Sequence, residues 1–251
     1  MFVAASTNCF REFSFEDCVE KIVDLEFSAI EIVLDENSNH FKPSQVAEDL
    51  NNAIAFCSST RRLAVVGYNL EIAGSGDDYF HTFEECCKLA KATKVVALTV
   101  ESGEHGTPFN EEVERFKSLV KISEQYGIRV GMRSKHGHLS ADPDTVSVIC
   151  GHVEGLGLAL DPSQYVYGQE KELNYEQLLK YVQAVYLRDS TKDDLQVRIG
   201  QGIIDYGKLI NLLRKEAYDR ALVVDIARQD DVDHMGEIRK MRLLLESLLI
   251  V

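Results

Sequence analysis

Short apolar, β-rich runs recur along the whole chain about every 30 residues, the length of one βα unit, and each is followed by a stretch with helical periodicity. The runs are Phe2–Ser6, Ala29–Leu34, Leu63–Val66, Val95–Val100, Ile128–Met132, Leu156–Leu160, Ala184–Leu187 and Ala221–Val224. Several are apolar without interruption, which suits parallel strands covered on both faces. Between them, Val46, Leu50, Ala53, Ile54 and Cys57 share one helical face, as do Val113, Phe116 and Val120. The second of these helices is expected to open at Thr107 and Pro108 and to close at Gly127. Eight parallel strands with eight helices predict a (β/α)8 TIM barrel. An open doubly wound sheet competes with it, but such a sheet usually carries a glycine-rich turn after its first strand. Here that place reads Ser6-Thr7-Asn8-Cys9-Phe10. No linker-like stretch breaks the alternation, so residues 1–251 read as one domain.

The chain carries 27 basic and 41 acidic residues, a net charge of -14. Such a field repels polyphosphate, so no nucleic-acid partner is expected. The six cysteines form no CxxC pair and no zinc-type spacing. They read as reduced thiols of a cytoplasmic protein. The N-terminus lacks the basic start and long apolar run of a signal peptide. No stretch reaches the ~20 apolar residues of a membrane span, so no membrane partner is expected. A homo-oligomer is compatible with all of this.

In such barrels the chemistry sits where the strands end. The first four runs lead to Ser6 and Thr7, Asp35 and Glu36, Tyr68 and Asn69, and Glu101 and His105. The fifth and sixth lead to Arg133, Lys135, His136 and His138, then to Asp161, Ser163 and Gln164. The last two supply Tyr186, Arg188, Asp189 and Arg198, then Asp225 and Arg228.

Six segments carry a resemblance: FSAIEIVLDE, YGIRVGMRSKHGH, GLGLALDPSQY, VYLRDS, RIGQGIIDYGKLI and ALVVDI. On these the chain resembles the xylose isomerase-like TIM-barrel superfamily, the group of sugar phosphate isomerases and epimerases. Active members hold a divalent cation such as Mn, Mg, Co or Zn at the barrel mouth. Its ligands are a glutamate ending strand five, an aspartate ending strand six, a histidine in strand seven and a glutamate ending strand eight. The resemblance implies proton transfer next to a carbonyl, with the metal stabilising the enediolate and two carboxylates moving the proton.

The residues depart from that pattern. The strand-five position is Arg133, the strand-six position Asp161, the strand-seven position Tyr186 and the strand-eight position Asp225. The family's nearby histidine is Gln164. Arginine offers no lone pair and stays charged, and a tyrosine of ordinary pKa is a poor ligand for a hard cation. No metal cofactor is therefore expected, although Glu101, His105, His136 and His138 leave a relocated site open. Asp161, Asp225 and Arg133 are the expected catalytic set, with Arg133 bridging the carboxylates as counter-ion. Gln164, Tyr186, Arg188, Arg198, Lys135 and His136 are the expected substrate contacts. The cations after strands five, seven and eight suggest a small anionic ligand, a sugar phosphate or sugar acid. Pairing with Asp189, Asp193, Asp194, Asp205 and Asp230 is the plainer account of the same charges. Three functions compete: a sugar or sugar-phosphate isomerase or epimerase without the metal, a non-catalytic barrel binding an anionic sugar derivative, and, more remotely, a phosphodiester endonuclease.

Overall fold

A computed structural model of the chain describes residues 1–170 and 173–250. Eight strands, β1 (Phe2–Ser6), β2 (Ala29–Asp35), β3 (Ala64–Glu71), β4 (Ala97–Glu101), β5 (Arg129–Arg133), β6 (Leu156–Leu160), β7 (Val182–Leu187) and β8 (Ala221–Val224), lie in sequence order, all parallel. β8 pairs with β1 from Phe2–Ala221 to Ala5–Val224 and closes the barrel. The expected barrel is therefore the observed one.

The helices are α1 (Phe15–Asp24), α2 (Pro43–Glu48), α3 (Leu50–Ser58), α4 (Gly76–Ala92), α5 (Phe109–Glu124), α6 (Pro143–His152), α7 (Tyr206–Lys215) and α8 (His234–Leu249). Their distribution differs from one helix per unit. The stripe from Val46 to Cys57 is broken at Asp49, whose extended backbone ends α2 and whose side chain caps α3 at Asn52. Between β6 and β7 the described residues form two 3-10 turns, Pro162–Tyr165 and Glu176–Tyr181, where an α-helix was expected. Helix α5 starts one residue later than expected, with Pro108 as its N-cap, and the chain leaves it through Gly127 at φ 72°.

Large apolar side chains face outwards from the strands to the helices. Ile22, Ile32, Leu70, Phe83, Phe116, Leu158 and Leu222 belong to this main core. All six cysteines are buried and unbridged. The barrel interior is different: it is a separate, small-residue cluster of Ala4, Ala29, Ala159, Ala221 and Val223 around Tyr186. Gly131 and Gly157 leave the space that the Gln183 side chain occupies, since a Cβ on Gly157 would lie 2.5 Å from its amide carbon. Among the described residues no helix is long and apolar enough to cross a membrane.

The loop after β7 is anchored by Asp189, which accepts from the backbone N–H groups of Gly200 at 2.7 Å and Gly202 at 3.0 Å. A Cβ on Gly202 would fall 1.9 Å from the Asp189 carboxylate. Gly202→Ala should therefore cost about 1–3 kcal/mol, typical of forced overpacking, read as a lower urea midpoint.

Candidate functional site

The C-terminal ends of β5 to β8 converge on one carboxylate. Asp225 follows β8, is fully buried, and accepts hydrogen bonds from three side chains. Arg133 Nη2 donates to its Oδ2. Arg188 Nη2 donates to the same oxygen at 2.8 Å, and Asn8 Nδ2 donates to Oδ1 at 2.8 Å. The backbone on either side of Asp225 is held by Cys9, whose Sγ accepts the Ile226 N–H and donates to Val224 O. Burial pushes the Asp225 pKa up, but Arg188, Arg133 and Asn8 outweigh it and hold it at about 2. Asp225 is thus a fixed carboxylate.

Asp161 ends β6 and is also fully buried. One oxygen caps the following turn through the Ser163 N–H at 3.1 Å and its hydroxyl. The other accepts from Gln164 Nε2 at 3.2 Å and pairs with Arg188 at 3.3 Å. Arg188 therefore bridges the two aspartates, and Arg133 serves Asp225. Arg133 is a counter-ion to Asp225, but the expected bridge between the two carboxylates is made by Arg188, which was expected to meet a ligand, because Arg188 lies within 3.3 Å of both.

Below Arg133 the interior is filled. The guanidinium lies 4.2 Å from the centroid of the Tyr186 ring. Tyr186 is buried inside the barrel, its hydroxyl donating to Glu31 on β2 and lying 3.1 Å from Thr99 Oγ1 on β4. Burial lowers the Arg133 pKa, but Asp225, Tyr186 and Glu31 outweigh it and keep the group charged. Burial pushes Glu31 up to about 7, against Arg133 and the Tyr186 hydrogen bond. Asp225, Arg133, Tyr186 and Glu31 form one column along the barrel.

The remaining expected contacts lie outside this column. Lys135 Nζ holds both oxygens of Glu101 at 2.6 Å. The His136 N–H donates to Gln164 Oε1 at 2.8 Å, and its ring meets Tyr167 edge-on at 5.1 Å. His138 Nδ1 contacts Ser102 O at 2.6 Å. Arg198 is exposed and donates to Asp231 O at 3.1 Å. Among the described residues, no group of three or more His, Cys, Asp or Glu side chains is placed to hold a metal ion.

A cavity of about 820 Å3 opens beside the column, over the ends of β2, β3 and β4 and the starts of α4 and α5. Among the described residues eight carboxylates line it, Asp35, Glu71, Glu101 and Glu112 among them, with Tyr79 and Phe80 as aromatic wall. Arg115 is the one arginine in the lining, and it is taken up by Glu112, the Tyr79 hydroxyl and Glu101 O. The Glu71 pKa is raised by burial and by Glu101 and Asp35, with Arg133 and Lys135 opposing. Glu71 was missed in the sequence because β3 runs five residues past its expected end at Val66. Glu31 was missed because it looked like one polar residue inside an apolar strand.

Residues 19–247 match the family model described as xylose isomerase-like TIM barrel. The chain belongs to the xylose isomerase-like TIM barrel family. Among solved structures it is similar to a D-tagatose 3-epimerase-like protein, at 16% identity and TM-score 0.76, covering 100% of this chain and 97% of that one. It is also similar to 3-keto-D-glucoside 4-epimerase from E. coli, at 14% identity and TM-score 0.75, covering 98% and 99%. A xylose isomerase-like TIM barrel protein from Mycobacterium smegmatis, solved in complex with magnesium, gives 12% identity and TM-score 0.78, covering 98% and 96%. No curated protein sequence matches the chain. At such identities the likeness establishes the fold, and chemistry has to be read from the side chains.

The buried Glu31 sets a pH dependence. Its folded pKa of about 7 lies above the ordinary 4.5, so the fold favours the neutral acid. That contribution is complete below pH 4.5 and is lost as pH rises through 7, an upper bound of about 3 kcal/mol. Glu31→Gln should flatten the stability profile between these values, as measured by urea unfolding at stepped pH.

Proposed function

We propose that this protein is a carbohydrate-binding, sugar isomerase/epimerase-like barrel that holds a neutral polyhydroxylated sugar without a metal ion. The observation that carries this reading is Arg133 on Asp225. The Asp225 oxygen that a cation would use already accepts from Arg133 and Arg188. A guanidinium cannot ligate a metal, and a hard cation wants six or more oxygens. This donor set does not fit the family's divalent cation.

With the axis filled, the ligand site of this reading is the cavity over β2 to β4. Carboxylates accept hydrogen bonds from sugar hydroxyls, and Tyr79 and Phe80 offer an apolar wall. The charge there disfavours a phosphate or sugar acid. Lys135 and Arg188, expected to bind an anion, are committed to Glu101 and to the two aspartates. The same acidity disfavours a phosphodiester backbone. Asp161 and Asp225, expected to move the proton, are fixed in ion pairs.

A second reading, metal-free isomerisation, is favoured by one observation. Glu71 has a raised pKa inside this cavity, as a group that gives and takes protons needs. Against it stands the charge of an enediolate formed among carboxylates, where the cations of the described lining, Arg115 and the neighbouring Lys135, are already paired.

Titration calorimetry with ketohexoses and pentuloses, paired with NMR in D2O free of divalent cations, separates the readings. Saturable binding without deuterium uptake next to the carbonyl is the expected result, lost or weakened in Glu71→Gln. Uptake that Glu71→Gln abolishes would establish the second reading, and no binding of any neutral sugar would refute both. A companion experiment addresses the metal. Arg133→Glu places a third carboxylate beside Asp161 and Asp225, and should raise Mn2+ affinity by at least about tenfold over the unchanged protein.

A further inference from the structure

The opposite end of the barrel holds a second cavity, of about 300 Å3, beneath Tyr186. At ~30 Å3 per water, that is room for about ten water molecules. It exists because the interior is built of small residues: Gly67, Ala97, Ala184 and Val223 form much of its wall.

Two of its lining side chains are buried with an unpartnered polar atom. Glu31, 3% exposed, uses Oε1 for Tyr186 and leaves Oε2 without a hydrogen bond. Gln183, 8% exposed, leaves Nε2 unpartnered, and it lies against Gly131 and Gly157, whose lack of a side chain makes room for it. One is a carboxyl oxygen and the other an amide donor, and both line the same cavity. Buried polar atoms are nearly always satisfied, so a pair of orphans on one cavity points to something that enters it.

The rim has the opposite charge to the mouth. Lys94, Arg129 and Arg220 line it, with Asp219 as its acid besides Glu31. Among the described residues, none of these three cations has an ion-pair partner within 4.0 Å. Arg220 spends one donor on Val182 O at 3.4 Å. In a chain with 41 acidic and 27 basic residues, a collar of unpaired cations at the opening of a polar cavity has one plain use, the capture of an anion.

We propose that the N-terminal end of the barrel binds a short organic anion bearing a hydroxyl group. The anionic end meets Arg129, Arg220 and Lys94, and the hydroxyl end reaches Glu31 and Gln183. A carboxylate and a phosphate monoester share this chemistry. The site is separate from the mouth cavity, with Tyr186 and Arg133 between them, and does not depend on the carbohydrate reading.

The test is calorimetric titration of the full chain with glycolate, glycerol 1-phosphate, inorganic phosphate and glycerol. Saturable binding of glycolate or glycerol 1-phosphate, exceeding that of the other two, is expected, and the better of the pair identifies the anion. Arg129→Gln at the half-buried rim should weaken it at least about tenfold, the scale of a lost charge-assisted hydrogen bond. Ala184→Leu, which fills the cavity, should abolish it, while Glu71→Gln at the mouth leaves it unchanged. If Ala184→Leu fails to fold, Arg129→Gln decides alone. Absence of saturable binding, glycerol binding as well as the anions, inorganic phosphate matching the ester, or affinity indifferent to Arg129→Gln would each overturn the proposal.

Discussion

Asp225 is an ionised carboxylate with no exposure to water, and the barrel mouth is organised around keeping it so. A buried anion is tolerated only when it is paired and its lone pairs are used. Here two guanidiniums and an amide do that, drawn from β5, β7 and the turn after β1. Arg188 extends the cluster to Asp161, so β6 joins it as well. Strands far apart in sequence are tied at one point, and the ends of β5 to β8 form a closed polar cluster where a mouth could open.

This cluster determines what lies above and below it. Arg133 comes down on the Tyr186 ring, and Tyr186 reaches across the interior to Glu31 and Thr99. The column divides the barrel. On the mouth side the free space is pushed off the axis, over β2 to β4, where carboxylates dominate. On the other side small residues leave a second space, where the rim is basic. Two cavities of opposite rim charge in one acidic chain lie on either side of an ion-pair column that fills the middle of the barrel.

The fold was legible because each βα unit writes its own local pattern. A strand such as Leu156–Leu160 is apolar throughout, Ala29–Leu34 is apolar but for Glu31, and their neighbours carry a helical stripe. The errors came where local pattern and tertiary contact part. β3 continues through Asn69 to Glu71, because the strand still pairs with β2 to its end even where its residues turn polar. Asp49 split a continuous apolar stripe because its own carboxylate could cap a new helix. The Arg133 position was legible by likeness to the family, and so was its counter-ion role, since buried carboxylates demand a cation close by.

The sequence by itself determined the closed barrel, the placing of Arg133, Asp161 and Asp225 at one end, and the excess of negative charge. These follow from periodicity and from residue types at strand ends, which are local properties. Only the tertiary structure decided which cation pairs with which anion. Arg188 and Lys135 looked free to meet a ligand, and the fold gave them to Asp161, Asp225 and Glu101. It also decided that Glu31 and Glu71 matter, one in the interior and one on the mouth cavity. Ion-pair partners and enclosed volume are set by distances between strands remote in sequence, and no pattern along the chain records those distances.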